Sequence, residues 1–323
     1  MPSEPKVIAI VGPTASGKSA VGLELALALD GEIVSADSMQ VYVGMDIGTA
    51  KATPEERALV PHHLIDVAQP DEIFSVARYQ ELAGAAVEDI WARGRLPVLV
   101  GGTGLYVDAL IYGFLFPDEG RNPAIRAELE RKAQEVGVAA LHDRLRSVDP
   151  KAAARIHHND LRRIVRALEV YQVTGVPISE MQRRHRGGKR YDARLFGLTM
   201  SRQQLVKRIN DRVDQMVEQG LLDEVRRLLG AGYGPELTSM QAIGYKEFAE
   251  YVRGEATLEE ALERIKVGTR RYAKRQMTWF KRNTDIEWIN MDDYATPAEA
   301  AAYIGQATAE WLDEAGYSVE RER

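Results

Sequence analysis

The chain has no cysteine. Disulfides and thiolate metal sites are therefore excluded, and the composition fits a reducing compartment. It also lacks any run approaching the ~20 apolar residues of a membrane helix. Its start, MPSEPKVIAIVG, has neither the charged opening nor the apolar middle and small-residue cleavage site of a secretory leader. These absences together lead us to expect a soluble, cytoplasmic protein. Apolar side chains, in contrast, are plentiful. They make up 45% of 323 residues, against 28% charged, which excludes disorder as the main state. A chain of this length exceeds the ~250–300 residues at which single cores stop growing, so two lobes are expected.

A net charge of −6 argues at first sight against a nucleic-acid partner. The distribution argues otherwise. Between Arg264 and Arg282 stand eight basic residues and no acidic one, while the rest of the chain is correspondingly more acidic. Such a field binds a polyanion locally while the whole stays acidic. Arg270, Arg271, Lys274 and Arg275 fall at i, i+1, i+4 and i+5, along one helical face. Tyr272, Trp279 and Phe280 interleave with them and offer stacking. A solvated charged face is the bland alternative; the absence of acids favours polyanion binding. Two further basic groups are the run from Arg183 to Arg190 and the set Arg162, Arg163 and Arg166. Three separated patches suit a large folded polyanion better than a nucleotide, which points to RNA.

Hydrophobic patterning gives the organisation. Val7–Val11 is a β-branched run ending in glycine and reads as a buried parallel strand. Further strands are expected at 32–36, 64–67, 96–100, 194–199 and 286–289. Helices are expected at 20–29, 74–93, 205–229, 258–281 and 296–315, the last followed by a charged tail. Strands alternating with helices indicate a parallel α/β sheet. Between about 122 and 186 the pattern is helical without a convincing strand. The expected architecture is an α/β core, 1–116 with 192–323, carrying an all-helical insertion at 117–191. No long apolar or heptad surface stands out, so a monomer is expected.

The most specific motif is Gly12-Pro13-Thr14-Ala15-Ser16-Gly17-Lys18-Ser19, which matches the phosphate-binding loop in its required strand–helix context. Gly12 and Gly17 let backbone N–H groups turn inward, and the following helix presents its positive end. Lys18 supplies a mobile cation, and the Ser19 hydroxyl can ligate Mg²⁺. Asp37 closes the second strand, at the sheet edge where such folds bind ligands. It reads equally as a turn cap or as a carboxylate facing the phosphate loop. The strand 96–100 ends in Gly101-Gly102-Thr103-Gly104, where motor and GTPase relatives carry a magnesium-holding acid. That weakens an ordinary NTPase reading. His62-His63 and His157-His158 lack partners at metal spacing and read as structural.

The runs GPTASGKS, ADSMQVYVGMDIGTAK (36–51), PHHLIDV (61–67), VLVGGTGLYVDAL (98–110), ARIHHND (154–160), AIGYKE (242–247) and TRRYAKRQMTWFKR (269–282) resemble the bacterial tRNA dimethylallyltransferases, the tRNA isopentenyltransferase family. The resemblance spans residues 7 to about 290. It implies a phosphate-loop fold and an enzyme that moves a dimethylallyl group from dimethylallyl diphosphate, with Mg²⁺, to the exocyclic amine of the adenine 3′ to the anticodon. The tRNAs concerned read codons beginning with U. It implies that Gly12, Thr14, Ala15, Ser16, Gly17, Lys18 and Ser19 hold the diphosphate, that Asp37 is the general base, and that Thr103 and Arg212 lie at the reacting centre. It further implies tRNA contacts at Asp37, Ser38, Met39, Gln40, Arg126, Arg162, Arg163, Arg166, Gln241, Gly244 and Lys246. Three rival readings remain: a small-metabolite kinase, a prenyltransferase of free adenine nucleotides, and a non-catalytic RNA-binding protein. A mononucleotide or metabolite needs no triple basic surface, and a bare RNA binder needs no phosphate loop.

Overall fold

Lys-Val-Ile-Ala-Ile-Val forms β1 (Lys6–Val11), and all six residues are buried. A strand covered on both faces must lie centrally in a parallel sheet whose crossovers pack on either side. The computed structural model, which describes residues 4–113, 122–184 and 189–317, shows this arrangement. The other strands are β2 (Gly31–Ser35), β3 (His62–His63), β4 (Leu96–Gly101), β5 (Asp192–Thr199) and β6 (Ile286–Asn290). They form one sheet in the order β3-β2-β4-β1-β5-β6, and every pairing is parallel. The phosphate-loop α/β class expected from the sequence is the class observed.

Fourteen α-helices accompany the sheet among the described residues. Those before the insertion are α1 (Lys18–Ala28), α2 (Pro54–Leu59), α3 (Val76–Ala92) and α4 (Gly104–Tyr112). Then follow α5 (Pro123–Val136), α6 (Val138–Val148), α7 (Pro150–Ala153), α8 (Leu161–Thr174) and α9 (Ile178–Arg184). After β5 come α10 (Arg202–Glu218), α11 (Leu221–Gly230), α12 (Tyr245–Val252), α13 (Leu258–Phe280) and, last, α14 (Pro297–Asp313). One core buries Ile8, Ile10, Val21, Leu25 and Ile304 between the sheet, α1 and α14. A second gathers Tyr42, Met45, Val213, Tyr245 and Phe248 around the segment after β2.

Two local expectations are corrected. The short third strand is His62–His63, not 64–67. Leu64 and Asp66 have φ of 64° and 56°, left-handed values that no strand accommodates. The helix expected over 205–229 is two helices, because Gly220 adopts φ 98° and restarts the chain in a new direction. The apolar periodicity continues through that break, which hides it from pattern reading.

By internal packing the chain divides into Met1–Ile111 with Tyr191–Arg323, and Tyr112–Arg190. The sequence placed these boundaries at 116/117 and 191/192. The second unit, as described, is helical. It has its own core of Leu129, Leu141, Leu145, Ile164 and Leu168. Buried Asp149 caps α7 by accepting the Ala152 N–H and also accepts the N–H and hydroxyl of Ser179, which fixes the entry to α9.

Candidate active site

A cleft of about 1540 Å³ opens within the first unit at the C-terminal ends of β1, β2 and β4. Its floor is the phosphate loop. Gly12 (φ 142°) and Gly17 (φ 96°) supply backbone angles that side chains resist, and Ala15 is held at φ 64° between them. The first intrahelical bond of α1 runs from the Val21 N–H to the Gly17 carbonyl. The amides of Lys18, Ser19 and Ala20 precede it, so the positive end of α1 faces the cleft. The Lys18 ammonium donates to the Pro13 carbonyl at 2.6 Å, within its own loop. Burial, and then the Arg212 charge, push it down to about 7, while Asp37 acts in the opposite direction. The Ser16 hydroxyl is fully buried without a hydrogen-bond partner, and Ser19 is exposed at the cleft.

Asp37 and Thr103 come together because β2 and β4 are neighbours. The Asp37 Oδ1 accepts the Met39 N–H at 2.8 Å and more weakly the Gln40 N–H at 3.4 Å, so the turn-cap reading is correct. The functional reading survives alongside it, because the Asp37 charge acts on Lys18, Arg212 and Tyr272, all of which line the cleft. Thr103 Oγ1 accepts the Ser38 N–H at 3.0 Å, and its backbone N–H reaches the Ala36 carbonyl. Arg212, on α10, has its guanidinium pKa lowered chiefly by desolvation; the Asp37 carboxylate opposes that and Arg208 adds to it. A cation short of solvation next to a single carboxylate is prepared to receive an anion.

Several residues in or beside the cleft were not assigned to it from the sequence. Arg208 lies one turn before Arg212 and also lines the cleft. Tyr272 lies close to Thr103 and Gln276, and burial, followed by the Asp37 charge, pushes its phenol up to about 12. Lys51, 1% exposed in its side chain, donates to the Tyr42 carbonyl, Asp46 and Asp66 at 2.6–2.8 Å. Buried Glu224 accepts the N–H groups of Asp46, Ile47 and Gly48 together with the Tyr245 hydroxyl. The i, i+4 spacing of Arg208 and Arg212 could have flagged Arg208, and Tyr272 was read from the sequence only as an aromatic among the basic residues of its helix.

The basic surface is smaller than the sequence suggests. Of the eight residues from Arg264 to Arg282, Arg264 pairs with Glu250, Lys266 with Asp214 at 2.6 Å, and Arg270 with Glu263 and Asn210. Arg271, Lys274, Arg275, Lys281 and Arg282 are exposed, with Arg275 over the Tyr272 ring at 5.6 Å. The stacking expected of Phe280 and Trp279 is corrected: Phe280 is 1% exposed, and the Trp279 Nε1 donates to Asp108 at 2.9 Å.

Among the other expected RNA positions, Gln40 has its carboxamide committed internally, to Ser35 and to the Thr49 and Ala50 carbonyls. Gln241 is exposed and donates to the Pro235 carbonyl; the Gly244 N–H is capped by Glu247, and Lys246 is exposed. In the second unit Arg126 and Arg166 both face buried Glu169, Arg163 pairs with Asp160, and Arg162 is exposed. Residues 185–188 of the expected basic loop lie outside the described residues, as does the charged tail beyond 317. Of the histidines, His63 bonds Glu32 of the neighbouring strand β2, and exposed His157 stacks on His158.

Comparison with known proteins fits this geometry. The IPP transferase family model matches residues 40–283. The chain belongs to the IPP transferase family. It is 52% identical to a tRNA dimethylallyltransferase of Geobacillus thermodenitrificans, over 89% of this chain and 91% of that one. It is likewise 52% identical to the tRNA dimethylallyltransferase of Geobacter sulfurreducens, over 92% and 96%. The fold resembles the crystal structure of the tRNA isopentenylpyrophosphate transferase of Bacillus halodurans, with TM-score 0.72, 49% identity and coverage of 97% and 98%. It also resembles a eukaryotic dimethylallyltransferase acting on tRNA, with TM-score 0.81, 30% identity and coverage of 99% and 82%.

Proposed function

We propose that the chain transfers a dimethylallyl group from dimethylallyl diphosphate to the exocyclic amine of the adenine 3′ to the anticodon, in tRNAs reading codons that begin with U. The observation that carries this is the juxtaposition of Asp37 and Thr103 with a phosphate loop and a half-buried arginine, in a cleft wide enough for a base. The amine is a poor nucleophile because its lone pair is delocalised into the ring. As its nitrogen bonds the allylic carbon, the carbon–oxygen bond to the diphosphate breaks and Asp37 takes the amine proton. The departing charge falls to the loop amides, Lys18 and Arg212. Thr103 orients the Asp37–Ser38 turn through its bond to the Ser38 N–H.

Mg²⁺ suits this donor set as an ion carried largely by the diphosphate. Among the described residues no three His, Asp or Glu cluster as metal ligands, and Ser19 offers a single exposed hydroxyl. Mg²⁺ keeps several waters and pairs with one or two protein oxygens plus phosphates. Ser19 would hold it, and the ion would neutralise diphosphate charge.

Under this reading the α/β unit is catalytic and the helical insertion grips the anticodon arm. Arg271, Lys274 and Arg275 of α13, with Arg126, Arg162, Arg163 and Arg166 of the insertion, meet the RNA phosphates. Extruding the adenine from its stack costs a few kcal/mol, which those contacts offset. The chain acts as a monomer in the cytoplasm; no helix among the described residues is long and apolar enough to cross a membrane.

The test is incubation with Mg²⁺, unmodified tRNA and radiolabelled dimethylallyl diphosphate, with AMP and ATP in parallel. Label in tRNA at the adenine beside the anticodon is the expected result. Label in AMP alone assigns the chain to nucleotide prenylation, and phosphate transfer from ATP without label anywhere overturns the reading.

A further inference from the structure

Gln276 lies on α13, 6% exposed, with its carboxamide against the C-terminal edge of the sheet. Its Oε1 accepts the Thr14 N–H at 2.8 Å, and its Nε2 donates to the Gly102 carbonyl at 3.0 Å. Thr14 belongs to the phosphate loop after β1. Gly102 immediately precedes Thr103 after β4. The two strands are adjacent and parallel, so one side chain spans the two loops on which the reaction depends. Both partners are backbone groups of fixed polarity, so a flipped amide would face donor with donor and acceptor with acceptor. The approach also requires a glycine: a Cβ added to Gly102 would lie 2.2 Å from the Gln276 Nε2. Tyr272, one turn earlier on the same helix, lies close enough to Thr103 and Gln276 for both to act on its phenol.

We propose that Gln276 is a positioning residue for the transfer reaction, a strut that sets the distance between the loop holding the leaving diphosphate and the Asp37–Thr103 pair receiving the amine. This rests on the prenyl-transfer reading above. Alkyl transfer needs its reacting atoms near 3–3.5 Å apart, and a 1 Å misplacement costs roughly 10²-fold. The strut touches neither reacting atom, so its loss acts on rate through the spacing of the loops.

The test is a double-mutant cycle on the full chain with Gln276→Ala, Gly102→Ala and the pair. Single-turnover dimethylallyl transfer to tRNA is read beside tRNA affinity by filter binding. Each single change is expected to slow transfer by about 10–100-fold with tRNA affinity at the wild-type value. The double variant is expected to be no slower than Gln276→Ala alone, because Gly102→Ala acts by displacing an amide already gone. Gln276→Met, which keeps length and burial, replaces Gln276→Ala if the cavity prevents folding. Wild-type rates in Gln276→Ala or Gln276→Met, or effects that multiply in the double variant, overturn the proposal. A wild-type protein that transfers no label to tRNA overturns instead the reading on which it rests.

Discussion

The phosphate loop, residues 12–19, and the segment from Asp37 to Lys51 line the same cleft but treat polar groups in opposite ways. In the segment, charge is spent inside the protein. Lys51 meets two carboxylates and a carbonyl, and the Glu224 carboxylate takes three consecutive N–H groups and a phenol. In the loop, charge is held back. Lys18 has only its own loop's carbonyl and a pKa near 7, the Ser16 hydroxyl is orphaned in the interior, and the first amides of α1 face the cleft. Buried polar groups left unsatisfied are costly and so need a reason. On the reading proposed above, the diphosphate brings partners to Lys18 and to the first amides of α1, which line the cleft, whereas Ser16 does not line it. The segment is then scaffold for that ligand's neighbour, and the loop its seat.

Asp37 sits where the two regimes meet, and changing it gives the largest expected effect. Asp37→Asn retains an oxygen for the Met39 N–H, so the turn holds while the proton acceptor is lost. Single-turnover transfer at saturating substrates should fall by ~10²–10⁴-fold with tRNA affinity preserved. A near-normal rate would leave Asp37 a cap and nothing more.

Lys51 sharpens the contrast from the other side. Lys51→Met leaves Asp46 and Asp66 without their shared buried cation; both are partly exposed and Asp66 keeps Arg57. Denaturant unfolding should show a loss on the order of 2–3 kcal/mol, below the ~3–5 kcal/mol of breaking a fully buried pair because both carboxylates reach solvent. Pyrophosphate affinity should change little, since the phosphate loop is built separately. If binding fell as much as stability, scaffold and seat would not be separable.

The smallest effect concerns Asp108, which lies outside both regions. Its carboxyl is raised to about 6, first by burial, with the Trp279 bond acting against that. A carboxyl whose folded pKa exceeds its unfolded value loses stability as pH rises through about 4 to 6, and the loss persists above. Asp108→Asn should therefore stabilise the protein by about 1 kcal/mol at pH 8 and not at pH 4, as thermal unfolding at the two pH values will show.

Sequence and structure agree where function is local. The phosphate loop is a contiguous octapeptide, and its strand–helix context is written in the residues on either side. Asp37 was visible because it ends a strand. Gln276 was not, because its partners stand 262 and 174 residues away and a glutamine in a basic helix carries no mark of burial. The same holds for Lys51 and Glu224, whose work is to satisfy distant backbone. The overcount of free basic charge has a related cause: Glu250 and Asp214 neutralise Arg264 and Lys266 from other helices. The third strand was misplaced because the apolar Leu64 looked like strand while its backbone is left-handed.

The contrast between a satisfied scaffold and an unsatisfied seat is tested most directly at Lys18. With a pKa near 7 in the free protein, it is largely neutral at pH 8, and a bound diphosphate favours the charged form. Pyrophosphate binding at pH 8 should therefore take up close to one proton more in the wild type than in Lys18→Met, measured by calorimetry in buffers of different ionisation enthalpy; the difference removes the proton exchange of pyrophosphate itself. The difference should shrink towards zero at pH 6, where Lys18 is already charged. Equal proton exchange in the two proteins at pH 8 would contradict the account, because Lys18 would then be charged before its ligand arrives.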